Sequence, residues 1–149
     1  MILAVVYFAA LAMIVFWPSP VDKPLDGTLL ELFKWLRRHG VPWWFPLYRT
    51  VEFGSNILLF VPFGVVLALR FAHRFWWLAV VLAAATSTAI ELTQAWVLPD
   101  RVADWHDIVA NTSGALLGAV CVVALRRRLA RKAGRDRQKA QDQALPAVE

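Results

Sequence analysis

At 149 residues, 59% of them apolar and only 18% charged, the chain has the length of one domain, yet its apolar residues come in long blocks rather than an alternating or amphipathic weave. That pattern excludes an ordinary soluble globule and indicates an integral membrane protein. The net charge of +5 is concentrated in the C-terminal tail, which points to membrane orientation and lipid contact and argues against nucleic acid as a partner. The one cysteine, Cys121, lies in an apolar block where packing is its expected role, and it has no partner for an internal disulfide.

Residues 1–17 carry no charged side chain and, at about 1.5 Å rise per residue, just reach across a hydrocarbon core of about 30 Å. They are predicted as the first span. A cleaved signal peptide is the competing reading, disfavoured because no Lys or Arg precedes the run and no small-x-small site stands before Pro18. Pro18, Pro20 and Pro24 end that helix, and residues 18–50 form an outer loop. Within it, DGTLLELFKWLRRHG reads as a short amphipathic helix capped by Asp26 and closed by Gly40. Leu29, Leu32, Phe33 and Leu36 share one face while Glu31, Lys34, Arg37 and Arg38 fall elsewhere, so the helix suits the membrane interface. Trp43, Trp44, Phe45 and Tyr48 follow, the composition of an aromatic belt where the chain re-enters lipid, or of a loop packed on its own protein.

Residues 51–125 make the core, with spans predicted at 51–69, 75–98 and 107–125. In the first of these Glu52 and Asn56 are one helical turn apart and share a face. Pro62 and Gly64 lie mid-span, where neighbours must repair the hydrogen bonding that a proline removes. A packed kink is favoured there over a hinge. In the next span Ser87, Glu91 and Gln94 set a hydroxyl, a carboxylate and an amide in one stripe. The last span is predicted to be capped by Asp107, and Asp107, Asn111, Gly114 and Gly118 recur on one of its faces. Gly114 and Gly118 form a small-xxx-small spacing that lets helices approach closely. Residues 126–149 contain eight basic residues and are predicted as a frayed or disordered tail, cytoplasmic by the positive-inside rule, which with four spans puts the amino terminus inside as well. The expected fold class is all-α: a membrane bundle of four transmembrane helices with one short amphipathic interfacial helix.

Carboxylates and amides inside apolar spans are costly unless they face a partner or a wet cavity. With this topology the helical rise puts Asn56 and Asn111 roughly 5 to 8 Å below the outer edge and Glu91 roughly 10 to 12 Å below it. Three helices thus bring polar faces to one leaflet, and the expected binding pocket comprises Glu52, Asn56, Ser87, Glu91, Gln94, Arg101, Asp104, Asp107 and Asn111. Arg101 can reach back to Glu91 or clamp a phosphate or carboxylate. The plainer reading is a buried network that locks three helices together. Asp104, His106 and Asp107 with Glu91 match no established metal spacing, so no metal is expected. No phosphate loop, Ser-His-Asp set or reactive-cysteine setting is legible, and no cofactor is expected.

Three blocks, NILLFVPFG at 56–64, STAIELTQ at 87–94 and RVADWHDIVANTSGALLG at 101–118, resemble the VanZ-like family of small bacterial membrane proteins, named for a member linked to teicoplanin resistance. Position by position the resemblance marks Asn56, Phe60, Pro62, Gly64, Ser87, Glu91, Gln94, Arg101, Asp107, Asn111, Gly114 and Gly118. It implies a multi-helix protein of the bacterial cell membrane, and it supplies no reaction. The leading expectation is a pocket for the head group of a lipid-linked wall intermediate or a lipophilic antibiotic. The alternatives are an enzyme using Glu91 or Asp107 on such a head group, and a structural or partner-binding membrane protein.

Overall fold

The computed structural model describes residues 2–15, 26–97 and 104–144. Among them all regular structure is helical: α1 (Ile2–Val15), α2 (Asp26–Arg38), α3 (Leu47–Arg70), α4 (Trp77–Val97) and α5 (Trp105–Ala144), with a single 3-10 turn at His73–Phe75. Three helical stretches are long and apolar enough to cross a membrane, Leu47–Arg70, His73–Val97 and Trp105–Asp142. The described part of α1 has 14 residues, about 21 Å of rise, and is shorter than the hydrocarbon core. The prolines expected to end the first helix, Pro18, Pro20 and Pro24, lie outside the described residues.

α3 and α5 run parallel, and α4 returns between their ends. The α3–α5 seam closes on glycine. A Cβ at Gly64 would be driven into the backbone of Ala115, one at Gly114 into the carbonyl of Ile57, and one at Gly118 into the carbonyl of Val61. Without side chains at these three points the two backbones touch, and van der Waals contact over that length holds the pair where lipid offers no hydrophobic drive. Ala68, Ala79 and Ala119, all at 0% exposure, let α4 join the same seam with Val122. Leucines and valines on the opposite faces stay exposed, among them Leu58, Leu92, Leu117 and Val120, as a lipid-facing surface requires. Cys121 belongs to that exposed surface, so the packing role expected from its apolar block does not hold.

α1 docks where α3 needs repair. Pro62, inside α3, has no N–H and disturbs the ladder at its own turn. At the adjoining turn the Tyr7 hydroxyl donates to Leu59 O at 2.6 Å and accepts from the Phe63 amide. A side chain from a neighbouring helix thereby satisfies backbone groups that the bilayer could not. Phe8 meets Phe63 edge-on at 5.4 Å, and Leu11 joins Phe60, Phe63, Ala83 and Ala115 in one buried cluster.

Element bounds differ most from the sequence expectation at the start of α3 and the end of α5. α3 starts at Leu47, directly after Pro46, so Tyr48 lies in its first turn rather than in the aromatic loop. α2 spans Asp26–Arg38, and the chain turns away at Gly40 with φ 102°, a conformation that favours glycine. Arg37 anchors the following loop by bonds to the carbonyls of Pro42 and Phe45. The tail, expected as frayed or disordered, continues α5 as helix to Ala144. An already nucleated helix extends without a new nucleation cost, and Ala130, Ala133 and Ala140 among Arg, Lys and Gln are good helix formers.

Candidate functional site at the start of α5

Asp104, not Asp107, caps α5. Its Oδ1 accepts the His106 amide at 2.9 Å, and its carbonyl accepts the Asp107 amide at 3.1 Å, the geometry of an N-cap satisfying the open amides of a first turn. Relieved of that duty, Asp107 turns sideways, and its Oδ1 accepts from Asn56 Nδ2 of α3 at 2.7 Å. Glu91 of α4 completes the junction, its Oε2 accepting the Asp104 backbone amide at 2.8 Å. One turn deeper Asn111 Nδ2 donates to Ser87 Oγ at 2.9 Å. Two carboxylates at a helix N-terminus also oppose the positive end of its dipole.

Ser87, Glu91, Gln94 and Asn111 are buried, at 0, 5, 6 and 6% exposure. They continue the inward face of α4 begun by Ala79 and Ala83. Asn111 Oδ1 and Thr112 Oγ1 are buried oxygens without a hydrogen-bond partner, a state that costs about 1–3 kcal/mol per group.

The pairings change the depths expected from counting residues. Because Glu91 bonds the cap of α5, the last six residues of α4 rise about 9 Å above that level, and Trp96, 94% exposed, stands on the overhang. Asn56 likewise meets the first turn of α5 nine residues into α3, about 13 Å below Leu47. The start of α5 is therefore recessed between the ends of α3 and α4. Glu52 and Arg49 stand on the α3 side of that recess, on the face that carries Asn56. The connector 98–103, with Arg101, lies outside the described residues.

Sequence reasoning left His106 and Arg49 out of the site. The His106 ring Nδ1 lies 2.6 Å from Asp104 Oδ1. In the neutral ring this pairing puts the proton on Nδ1 and leaves Nε2 as an acceptor. Both partners are 42% exposed. The His106 amide first, and its ring second, hold the Asp104 carboxyl below the usual carboxylate range, with a smaller attraction from Arg49. Arg49 was legible in principle, since it precedes Asn56 by two helical turns. Among the described residues, no three His, Cys, Asp or Glu side chains group closely enough to hold a metal ion.

A family model described as VanZ/LLP1 matches residues 4–126. The chain belongs to the VanZ/LLP1 family. No curated protein and no solved structure matches it. Membership and three apolar helices together support a membrane protein of this family. The VanZ/LLP1 match covers α1 and every described polar residue of the recess, and it stops at Arg126, so the basic extension of α5 lies beyond it.

Proposed function

We propose that this VanZ/LLP1-family protein is a four-span protein of the bacterial cell membrane, with α1 as the fourth span, that binds a polar head group in an outward-facing recess at the start of α5. Both termini are cytoplasmic in this reading. The ligand is a lipid-linked wall intermediate or a lipophilic glycopeptide antibiotic, which would connect the protein to antibiotic resistance. The observation that carries the reading is the convergence of α3, α4 and α5 on one recessed helix start through Asn56–Asp107, Glu91–Asp104 and Ser87–Asn111. Fixed carboxylates and amides at a site opening beside lipid suit a molecule with a polar head and an apolar tail. The aromatic segment around Trp43 and Trp44, both exposed, covers the approach, and Arg101 supplies a phosphate or carboxylate clamp from the connector.

The test is saturable binding of a labelled lipid-linked wall precursor, and separately of teicoplanin, to the purified protein. Glu91→Gln and Asp107→Asn keep the shape of each side chain, Arg101→Lys keeps the charge but not the planar fork, and the expected result is at least about a tenfold loss of affinity with the thermal midpoint little changed. Unaltered binding in all three variants would reject the recess. If neither probe binds, a packing network is the better account.

A second reading, chemistry on the bound head group, is favoured by one observation, the Asp104–His106 pair at the rim. An imidazole oriented by a carboxylate can act as a general base, and the backbone amide of its partner Asp104 bonds Glu91. Turnover of the labelled precursor that is lost in His106→Gln separates this reading from binding alone.

A further inference from the structure

The end of the bundle opposite the recess has a character that the head-group site does not use. Arg70, His73 and Arg74 close α3 and form the turn after it, and Arg126–Arg128, Arg131 and Lys132 follow the apolar part of α5. Arg126 fixes these two segments against each other, its guanidinium donating to the carbonyls of Leu69 and Phe71 at 3.0 Å each. Cations at a helix C-terminus oppose its negative dipole. The remaining cations are exposed. No carboxylate occurs in residues 66–76 or 126–135, and the first acid beyond them is Asp136. Five guanidinium groups, those of Arg70, Arg74, Arg127, Arg128 and Arg131, therefore lie at one end of the bundle without a carboxylate partner among the described residues.

Depth and neighbours say what such a cluster is for. Arg127 to Arg131 lie within about 10 Å of Leu125, the last residue of the apolar run, about the reach of a head-group layer and an arginine side chain. Exposed apolar groups are interspersed with the cations: Phe75 at 37%, Trp77 at 48% and Leu129 at 58%, with the Arg74 guanidinium 4.5 Å above the Phe75 ring. A molecule with a phosphate head and acyl chains meets both kinds of surface, and Leu129 offers nothing for a base to stack on.

We propose that this end is a binding surface for anionic phospholipids. The five arginines hold head-group phosphates through bidentate, charge-assisted hydrogen bonds, while Phe75, Trp77 and Leu129 lie along the upper acyl chains. Arg137 and Lys139, about 18 and 21 Å beyond Leu125 along the helix, stand more than a Debye length of about 8 Å above a head-group layer of about 5 to 7 Å and take no part. The surface does not depend on what the recess binds or on which side of the membrane it faces.

The full chain is reconstituted in phosphatidylcholine nanodiscs containing a minority of phosphatidylglycerol, and the lipid retained after extraction is identified by native mass spectrometry. Wild type retains phosphatidylglycerol selectively. Combined replacement of Arg70, Arg74, Arg127, Arg128 and Arg131 by Gln lowers that selectivity by about tenfold, and Arg137→Gln with Lys139→Gln leaves it within about twofold. Wild-type selectivity in the five-site variant overturns the proposal, as does equal loss in the distal variant. A second arm needs no substitution: short single-stranded RNA added to wild type at equal phosphate concentration leaves the lipid in place. Its displacement by RNA would assign the surface to a soluble polyanion instead.

Discussion

The inward face of α4 changes character half-way along. Ala79 and Ala83 pack against the alanines of α3 and α5, whereas Ser87, Glu91 and Gln94 continue the same face as polar groups. Both halves are buried and both hold three helices together, by different physics. In the first half the backbones of α3 and α5 touch at glycine and the alanines of α4 pack among Phe60, Phe63 and Val122, so dispersion does the holding, with little directional demand. In the second half donors and acceptors must meet at set angles, and each misplacement leaves an unpaired buried group. Apolar contact alone closes the bundle in the first half. The polar half is thus more than closure requires, and that excess supports a role in binding.

The largest effect should come from filling the seam. Gly118→Leu drives a side chain into the Val61 carbonyl and should cost about 3 kcal/mol, seen as an early thermal transition and aggregation in mild detergent. A midpoint equal to wild type would mean that backbone contact is not what closes this half. Next is the join between α1 and the turn at Pro62. Tyr7→Phe removes the hydroxyl that serves Leu59 and Phe63 and should cost about 1 to 2 kcal/mol, with faster hydrogen exchange at the Phe63 amide. Unchanged exchange would show that the ladder repairs itself without Tyr7.

In the polar half, a double-mutant cycle with Asn56→Leu and Asp107→Leu should give a coupling of about 1 kcal/mol. A value near zero would make that contact incidental to stability and strengthen the contrast between the halves. The smallest effect concerns pH. Because the folded Asp104 carboxyl sits below its usual range, its contribution is complete above the unfolded value near about 3.9 and is lost as pH falls through the lower folded value. Stability measured downward from pH 5 should therefore decline less steeply in Asp104→Asn than in wild type. Identical profiles would remove the His106 bonds as a source of cap stability.

The stripe Ser87–Glu91–Gln94 and the pair Glu52–Asn56 could be read from helical spacing alone, because residues three or four apart must share a face. What each group bonds could not. The fragment DWHD offers two carboxylates to one helix start, and local sequence does not rank Asp104 against Asp107 as the cap. The choice depends on Asn56, which lies 51 residues from Asp107. Tyr7 as the repair for Pro62 is invisible for the same reason, being 52 residues from Leu59 in sequence. The tail's charge pattern points to fraying or disorder, whereas its helical state follows from continuation of α5, which composition does not show.

By itself the sequence determined the membrane class, the three long apolar helices, the glycine and polar faces and the basic end, since all follow from composition and a period of 3.6 residues. Only the tertiary structure decided that α3 and α5 lie backbone to backbone, that α5 begins in a recess, and that His106 and Arg49 lie beside Asp104. Those features rest on the relative height and rotation of separate helices, which contacts between residues distant in the chain set and no local pattern encodes.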